Sequence, residues 1–247
     1  MPLDPGTILA GRYRSDRLHK LGSMGAVYQA FDPSLGTHVA VKENLFSAPE
    51  YQRQFGREAQ FLATFRHPNI PRGIDYFTID GQGQFLAMAF IEGETAREWT
   101  ERQSPSPPDI LSVMQGVFEA LQYIHSREPP IIHRDVEPTN IIVTKDSAAF
   151  LVDFGLAKVF ESRPGPTTDA RTDQFSFAAT LYALMTRQTP ANSLERALGH
   201  QSLQPPTALN PAIPLPVEAA LLRALSVKGE DRYPTTADFW HALTKRA

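Results

Sequence analysis

The sequence predicts an α+β fold with two lobes, in which a small antiparallel sheet and one helix precede a larger, mostly helical part. Short runs of alternating apolar and polar residues, separated by glycine and proline turns, occupy residues 12–45 and 73–91. Apolar residues at helical spacing dominate the remainder. We therefore expect a lobe at residues 1–90 and a lobe at residues 91–247, which together form one domain.

The composition is that of a globular chain without a strong charge. Its 247 residues are 42% apolar, which is enough for a substantial core, and the net charge of −3 makes nucleic acid and membrane unexpected partners. Cysteine is absent, and no apolar run approaches the roughly 18 residues that cross a bilayer. Because the first residues also lack the features of a signal peptide, we expect a cytoplasmic protein; its oligomeric state stays unknown.

Five strands are predicted in the first lobe, and the third of them ends in a lysine. Strand alternation places Lys42 on one face with Ala40, and Val39 and Val41 on the other face. Because Ala40 is small, a flat ligand has room beside Lys42. The alternative is an ordinary solvated charge at a strand end.

The helix predicted after this strand carries a carboxylate in its apolar stripe. It begins at Ser47, which has capping-box spacing to a glutamate three residues on. Residues three and four apart share a helix face, so Glu58 points inward with Phe55 and Leu62 unless it reaches out at the edge of the stripe. A buried carboxylate needs a cation, and Lys42 is the candidate.

Helical spacing predicts the second lobe. Ser106 and Asp109 have the capping pattern of a helix start, and further helices are predicted at residues 172–185, 216–227 and 235–245. The last of these begins with Thr235 and Asp238 in cap spacing. The segment 172–185 is apolar almost all round after its first turn, which is typical of a helix buried on every side.

Two apolar runs deliver polar groups suited to phosphoryl transfer. The first leads into His133, Arg134, Asp135 and Asn140, and the second delivers Asp153 before a glycine. At such strand ends one carboxylate can accept a proton from an incoming hydroxyl, while the other carboxylate and the amide hold Mg²⁺ through oxygen. This layout suggests chemistry on a metal-bound polyphosphate.

The pattern His-Arg-Asp-x-x-x-x-Asn at residues 133–140, followed by Asp-Phe-Gly at 153–155, resembles the catalytic loop and metal-binding turn of protein kinases. Over nearly the whole chain the sequence is similar to the bacterial-type serine/threonine protein kinase domain. The resemblance implies ATP and Mg²⁺ as cofactors and a protein as substrate. Its catalytic group comprises Lys42 on the phosphates, Glu58 holding Lys42, Asp135 as the base, and Asn140 and Asp153 on Mg²⁺.

The same resemblance implies a nucleotide pocket and a buried anchor. Asp173 should tie the start of the helix 172–185 to the backbone of the His-Arg-Asp loop, and residues 88–93 should form the hinge that reads adenine. The implied nucleotide-binding residues come from the glycine hairpin, the sheet, the hinge and the second lobe: Gly22, Gly25, Val27, Ala40, Lys42, Met88, Phe90, Ile142 and Asp153.

Two departures from the family pattern bear on the phosphates. The hairpin at residues 21–28 lacks one glycine and two further residues, so fewer N–H groups can reach the phosphates. Glu137 stands where serine/threonine kinases usually carry a lysine; two unit charges about 4 Å apart interact by roughly 4 kcal/mol at an effective dielectric near 20. Transfer then requires Glu137 to turn away or a cation such as Lys158 to offset it.

Two further departures lie elsewhere. The segment between Asp153 and Asp173 is short and lacks an Ala-Pro-Glu motif, so Arg232 loses its usual partner and should be solvated or pair with Asp169. Unless the alignment slips by one, Gly73 stands where kinases usually place an apolar side chain that links Leu62 to His133 and Phe154, and the stack that joins the two lobes would then have a gap. Two threonines in the short segment are either phosphorylation sites for Arg134 to bind or polar linker: Thr167 and Thr168.

Three functions follow as alternatives. The first is an ATP- and Mg²⁺-dependent serine/threonine protein kinase, because every group that performs the chemistry is present. The second is a pseudokinase, a nucleotide-binding or regulatory scaffold whose hairpin, Glu137 and short segment have removed turnover. The third is a phosphotransferase for small molecules, which needs no peptide platform.

Overall fold

The computed structural model describes residues 2–22, 25–159 and 169–245 and divides the chain into two compact units. The first unit runs up to Glu92 and also contains Phe154–Leu156. The second unit comprises Gly93–Asp153 and the chain from Ala157 onward. The expected boundary after residue 90 lies two residues before the one that divides these units.

The first unit is an antiparallel sheet with one helix. The strands are β1 (Ile8–Leu9), β2 (Tyr13–Leu21), β3 (Gly25–Asp32), β4 (Thr37–Asn44), β5 (Gly73–Ile79) and β6 (Gly83–Ala89), in the order β1-β2-β3-β4-β6-β5. The sheet thus has one strand more than the five expected. β1 was missed because two residues are too short to show an alternating pattern.

The two faces of the sheet differ in chemistry, as alternation along β4 predicts. One face carries a fully buried apolar cluster, whose members are Leu9, Tyr13, Ala30, Val39, Val41, Phe85 and Ala87. Ala40 and Lys42 lie on the other face, because successive side chains of a strand point to opposite sides. The cluster keeps β4 in a fixed register, and this register determines where Lys42 lies.

The helix of the first unit, α1 (Pro49–Thr64), buries Phe55, Glu58, Ala59 and Leu62. The predicted capping box at Ser47 is wrong: Ala48 is the N-cap, and Pro49 occupies the first turn. Proline suits that position because its fixed φ matches the helix and its missing N–H would have no partner there. The inward orientation predicted for Glu58 is confirmed.

Gly73 allows α1 to lie directly against the sheet. A Cβ built on Gly73 would come within 2.9 Å of the Leu62 carbonyl carbon and 3.1 Å of the Ala63 nitrogen. The backbone of α1 therefore fills the space that a side chain would need, so position 73 has no room for one. At the end of α1 the ring of Phe65 packs edge-on against Phe154, with ring centroids 5.3 Å apart.

The second unit is mostly helical. Its helices are α2 (Ala96–Gln103), α3 (Pro107–His125), α4 (Ala170–Thr186), α5 (Ser193–Ala197), α6 (Pro206–Leu209), α7 (Leu215–Ala224) and α8 (Thr236–Thr244). Its strands are β7 (Gly93–Thr95), β8 (Ile131–Ile132), β9 (Ile141–Thr144), β10 (Ala149–Leu151) and β11 (Lys158–Val159), of which β10, β9 and β7 form one sheet and β11 pairs with β8.

Helix α4 is the centre of the second unit, as its apolar sequence predicts. It buries Phe177, Ala178 and Leu181 completely and packs against α3, α7 and α8. It begins two residues earlier than expected, with Asp169 as its N-cap. The capping boxes predicted at Ser106 and Thr235 are both present.

Within the described residues, the partners of Arg232 are backbone carbonyls and not a carboxylate. Its guanidinium donates to the carbonyl oxygens of Ser226 at 2.9 Å, Arg171 at 3.0 Å and Val227 at 3.1 Å. It also lies over the ring of Phe175 at 4.6 Å. Burial lowers the pKa of Arg232, and the charge of Asp169 opposes that shift. The expectation of solvent or an Asp169 pair is therefore replaced by a set of neutral partners.

No helix within the described ranges is both long enough and apolar enough to span a membrane.

We predict that Gly73→Ala lowers the free energy of unfolding by about 1–3 kcal/mol, the usual cost of overpacking, because the new methyl group meets rigid helix backbone. Gly56→Ala in α1 is the matched control: its Cβ meets only the Tyr76 hydroxyl at 3.7 Å, and alanine favours a helix. Urea unfolding of both variants measures the difference. Equal stability of the two variants would contradict the close approach.

Candidate active site

In the first unit, Lys42 and Glu58 form a buried ion pair. The Lys42 ammonium donates to both carboxylate oxygens of Glu58, at 2.8 Å each. Lys42 is 5% exposed and Glu58 is 1% exposed. Removing either partner would leave a buried charge without compensation, which is costly. The two residues that the sequence predicts to pair are thus brought together by β4 and α1.

Strand register places the other expected nucleotide-binding residues of the sheet on the face of Lys42. Val27 in β3 is the cross-strand partner of Lys42, and Met88 in β6 is the partner of Ala40. Directly opposed residues of antiparallel strands share a face. Phe90 follows β6, and its ring lies edge-on to His19 at 5.5 Å.

The glycine hairpin is described at its base. Gly22 donates its N–H to the Gly25 carbonyl at 2.9 Å. A Cβ on Gly25 would come within 2.3 Å of the Glu43 carbonyl oxygen, so only glycine fits here. The expectation about N–H groups at the tip concerns Ser23 and Met24, which lie outside the described residues.

In the second unit, Asp173 holds the His-Arg-Asp loop, as expected. Its carboxylate is fully buried and accepts the backbone N–H groups of His133 at 2.8 Å and Arg134 at 2.7 Å. The ring Nε2 of His125 lies 2.8 Å from the same carboxylate. Arg134 has a φ of 71°, a conformation that is unfavourable for a non-glycine residue and that these bonds hold in place.

His133 supports the residue expected to be the base. The backbone N–H of Asp135 donates to Nδ1 of His133 at 3.3 Å. Burial lowers the pKa of His133, although the nearby charges of Asp173 and Asp153 act in the opposite direction. A neutral imidazole is required, because a protonated Nδ1 could not accept this hydrogen bond.

Asn140 joins the two ends of the loop. Its Nδ2 donates to the Asp135 carboxylate at 2.9 Å and to the Asp135 carbonyl at 3.1 Å. The backbone carbonyl of Asn140 accepts the N–H of Val152 at 2.9 Å. The next residue, Asp153, has a φ of 64°. Asp135 and Asn140 are therefore in direct contact, and Asp153 follows a residue that Asn140 binds.

Ile142, expected at the nucleotide, lies in β9 directly after this loop and pairs with Phe150 of β10.

The carboxylate of Glu137 is exposed and accepts a hydrogen bond from the hydroxyl of Thr139. Within the described part of the chain, Lys158 forms no ion pair with Glu137, so the offset expected from Lys158 is not found. The hydroxyl of Thr180 in α4 donates to the Val136 carbonyl at 3.0 Å and so attaches the loop that carries Glu137 to α4. Thr167 and Thr168 lie outside the described residues.

Sequence reasoning missed Gln54. Its side-chain amide donates to the carbonyl of Gly155. The one available signal is spacing, since Gln54 precedes Glu58 by four residues and shares its helix face. A recess of about 270 Å³, measured with its opening to solvent, is lined by these groups and their neighbours: Lys42, Asn44, Tyr51, Gln54, Phe55, Glu58 and Gly155.

This fold, with a buried lysine and glutamate pair in one unit and an Asp135–Asn140 loop in the other, defines a protein kinase domain. The family model for the protein kinase domain matches residues 19–179, and the chain belongs to this family.

Bacterial kinases are among its relatives. A probable serine/threonine-protein kinase of Clostridium acetobutylicum is 30% identical over 97% of this chain and 40% of its own length. PknF of Mycobacterium tuberculosis is 31% identical over 100% of this chain and 58% of its own length. The chain thus spans roughly two fifths to three fifths of these curated relatives.

Solved structures agree with the fold. The apo form of PpkA-294 gives a TM-score of 0.83 at 22% identity, covering 98% of this chain and 99% of that one. The kinase domain of Mycobacterium tuberculosis PknI gives a TM-score of 0.78 at 28% identity, with 98% of each chain covered.

The lowered pKa of His133 predicts a pH dependence of stability. The unfolded chain takes up a proton near the ordinary value of 6.5, while the folded chain keeps His133 neutral until lower pH. The free energy of unfolding should therefore fall as pH decreases below about 6.5. Urea unfolding between about pH 7.5 and pH 5.5 should show a shallower decrease for His133→Phe than for the wild type. The exposed His241→Gln serves as control, and an unchanged slope in His133→Phe would contradict the prediction.

Proposed function

We propose that this chain is a serine/threonine protein kinase that transfers the γ-phosphoryl group of ATP to a hydroxyl of a protein substrate. The observation that carries the proposal is the buried pair between Lys42 and Glu58, in which both carboxylate oxygens hold the ammonium. Such a pair fixes a cation that can grip the α- and β-phosphates, and it is one of the arrangements that kinase chemistry requires. A lysine that only solubilises a strand end would be exposed.

Asp135 is the proposed catalytic base. The hydrogen bonds from Asn140 and to His133 fix the orientation of its carboxylate and backbone, so that the carboxylate can accept the proton of the substrate hydroxyl. The position of the Asp135 carboxylate matters as much as its basicity, because general-base catalysis depends on a short, aligned contact with the proton.

The residues present suit Mg²⁺. With Nδ2 of Asn140 turned to Asp135, the amide contributes an oxygen as ligand, and Asp153 contributes a carboxylate. Amide and carboxylate oxygens are the donors that this ion prefers, and Mg²⁺ bound there would neutralise charge on the phosphates. Asn140 and Asp153 are the proposed ligands.

The proposed nucleotide-binding residues keep the roles suggested by the family resemblance. Shared faces in the sheet register support Val27, Ala40, Lys42 and Met88 as one group. The other proposed residues are assigned because they occupy the matching positions of the family pattern. They are Gly22, Gly25, Phe90, Ile142 and Asp153. The absence of cysteine supports the further proposal that the protein works in the reducing cytoplasm.

The exposed carboxylate of Glu137 is the observation that keeps the pseudokinase as a second candidate. Its negative charge belongs to the same loop as Asp135, only two residues away. The hydrogen bond from Thr139 holds this carboxylate locally but does not neutralise it. Turnover therefore decides between an active kinase and a scaffold.

We expect Asp135→Asn to lower kcat by at least about 100-fold, the lower end of what a general base contributes. The change is nearly isosteric, so Mg²⁺-ATP should still shift the melting temperature as it does for the wild type. The measurement is phosphate transfer from labelled ATP to a generic basic protein. Asp146→Asn, in the exposed turn between β9 and β10, is the control. A wild type that binds Mg²⁺-ATP without transfer would establish the pseudokinase, and full activity of Asp135→Asn would exclude this site.

We expect Glu137→Lys to raise kcat by about tenfold or more, because removing even about 1.4 kcal/mol of repulsion from the transition state has that effect. Glu137→Gln, which removes the charge without reversing it, should give an intermediate rate. The same transfer assay measures both variants. If neither differs from the wild type, the charge at position 137 does not limit the reaction.

A further inference from the structure

Gln54 links helix α1 to the segment Phe154–Leu156, and both belong to the first unit. Gln54 and Gly155 are 101 positions apart in the sequence, yet the side-chain Nε2 donates directly to the carbonyl of Gly155. Gln54 is half-buried, while Gln52 and Gln60 on the same helix are exposed. The contact is therefore specific to one glutamine of three.

The position of Gln54 on α1 gives this bond a role beyond stability. Residues four apart on a helix lie on the same face, so Gln54 lies one turn before Glu58. Both line the recess that also contains Lys42 and Gly155. Any rotation of α1 about its axis that removed Glu58 from Lys42 would also remove Gln54 from Gly155.

Among the described residues, the first turn of α1, ahead of the buried Phe55, has only weak side-chain restraints. Its N-cap is Ala48, which has no polar side chain to hold the first turn. Tyr51 is 38% exposed and stacks on Phe46, which is itself 39% exposed. At the other end, Phe65 packs on Phe154. The segment 154–156 thus contacts α1 before and after Glu58, and Gln54 supplies the contact next to the weakly held first turn.

We propose that Gln54 is a positioning residue, which holds the carbonyl of Gly155 and thereby keeps α1 in the orientation that directs Glu58 to Lys42. This inference rests on the proposed function, because it assigns Gln54 a part in phosphoryl transfer. Gln54 acts through Glu58 and need not touch the nucleotide. The bond is neutral, so it depends on the donor at position 54 and not on charge.

The test replaces the donor while keeping the size of the side chain. Gln54→Glu puts an acceptor against the Gly155 carbonyl, and Gln52→Glu and Gln60→Glu make the same charge change on the exposed side of α1. We expect kcat of Gln54→Glu to fall about three- to tenfold, the range for loss of one ordinary hydrogen bond, with the controls within twofold of the wild type. Hydrogen exchange of the α1 amides should be faster in Gln54→Glu alone.

A positioning role predicts two results that a merely stabilising bond does not. In a Glu58→Gln background, Gln54→Glu should cause no further loss of kcat, because the group through which it acts is already gone. Gln54→Lys, which restores a donor of sufficient reach, should recover most of the activity. Additive losses in the double variant would overturn the proposal.

The outcomes separate this inference from the proposed function. If the wild type shows no transfer but Gln54→Glu alone accelerates exchange in α1, the kinase assignment fails, and the link between Gln54 and Gly155 stands. If the wild type is active and Gln54→Glu matches Gln52→Glu in both kcat and exchange, the positioning role is wrong, and the kinase assignment stands.

Discussion

The ion pair between Lys42 and Glu58 is the constraint on which the first unit depends. Two opposite charges are almost completely removed from water, and neither is tolerable there without the other. The apolar cluster on the far face of the sheet fixes β4, and the close approach at Gly73 fixes the distance of α1 from the sheet. Burial supplies the stability, and the pair selects one orientation of α1 among those that burial alone would allow.

The second unit uses the same strategy with a different partner. The buried carboxylate of Asp173 is compensated by two backbone N–H groups and by His125 instead of a lysine or arginine. Backbone donors cannot change rotamer, so they hold the loop more rigidly than a flexible cation would. This rigidity keeps Arg134 in a left-handed conformation and presents Asp135 next to Asn140.

Much of this arrangement is visible in the sequence because it leaves a periodic signal. Glu58 was identified as a carboxylate in an apolar helical stripe. Strand alternation placed Lys42 on the sheet face away from Val39 and Val41. Capping spacing located the starts of α3 and α8. Features without such a signal were missed or wrong. The capping-box spacing at Ser47 predicted the wrong start for α1, because Pro49 occupies the first helical position and Ala48 is therefore the N-cap. The bond from Gln54 to Gly155 joins distant residues, and the partners of Arg232 are carbonyls, which every residue carries.

The neutral hydrogen-bond partners of Arg232 have an evolutionary consequence. In a chain where this guanidinium depends on a carboxylate from the preceding segment, that segment must conserve both its acidic residue and its length. Here three carbonyls and an aromatic ring satisfy the guanidinium. Such carbonyls are present whatever the side chain, so the half-buried cation keeps these partners when neighbouring side chains are substituted, and the described contacts of Arg232 place little constraint on which acidic residues related sequences must retain.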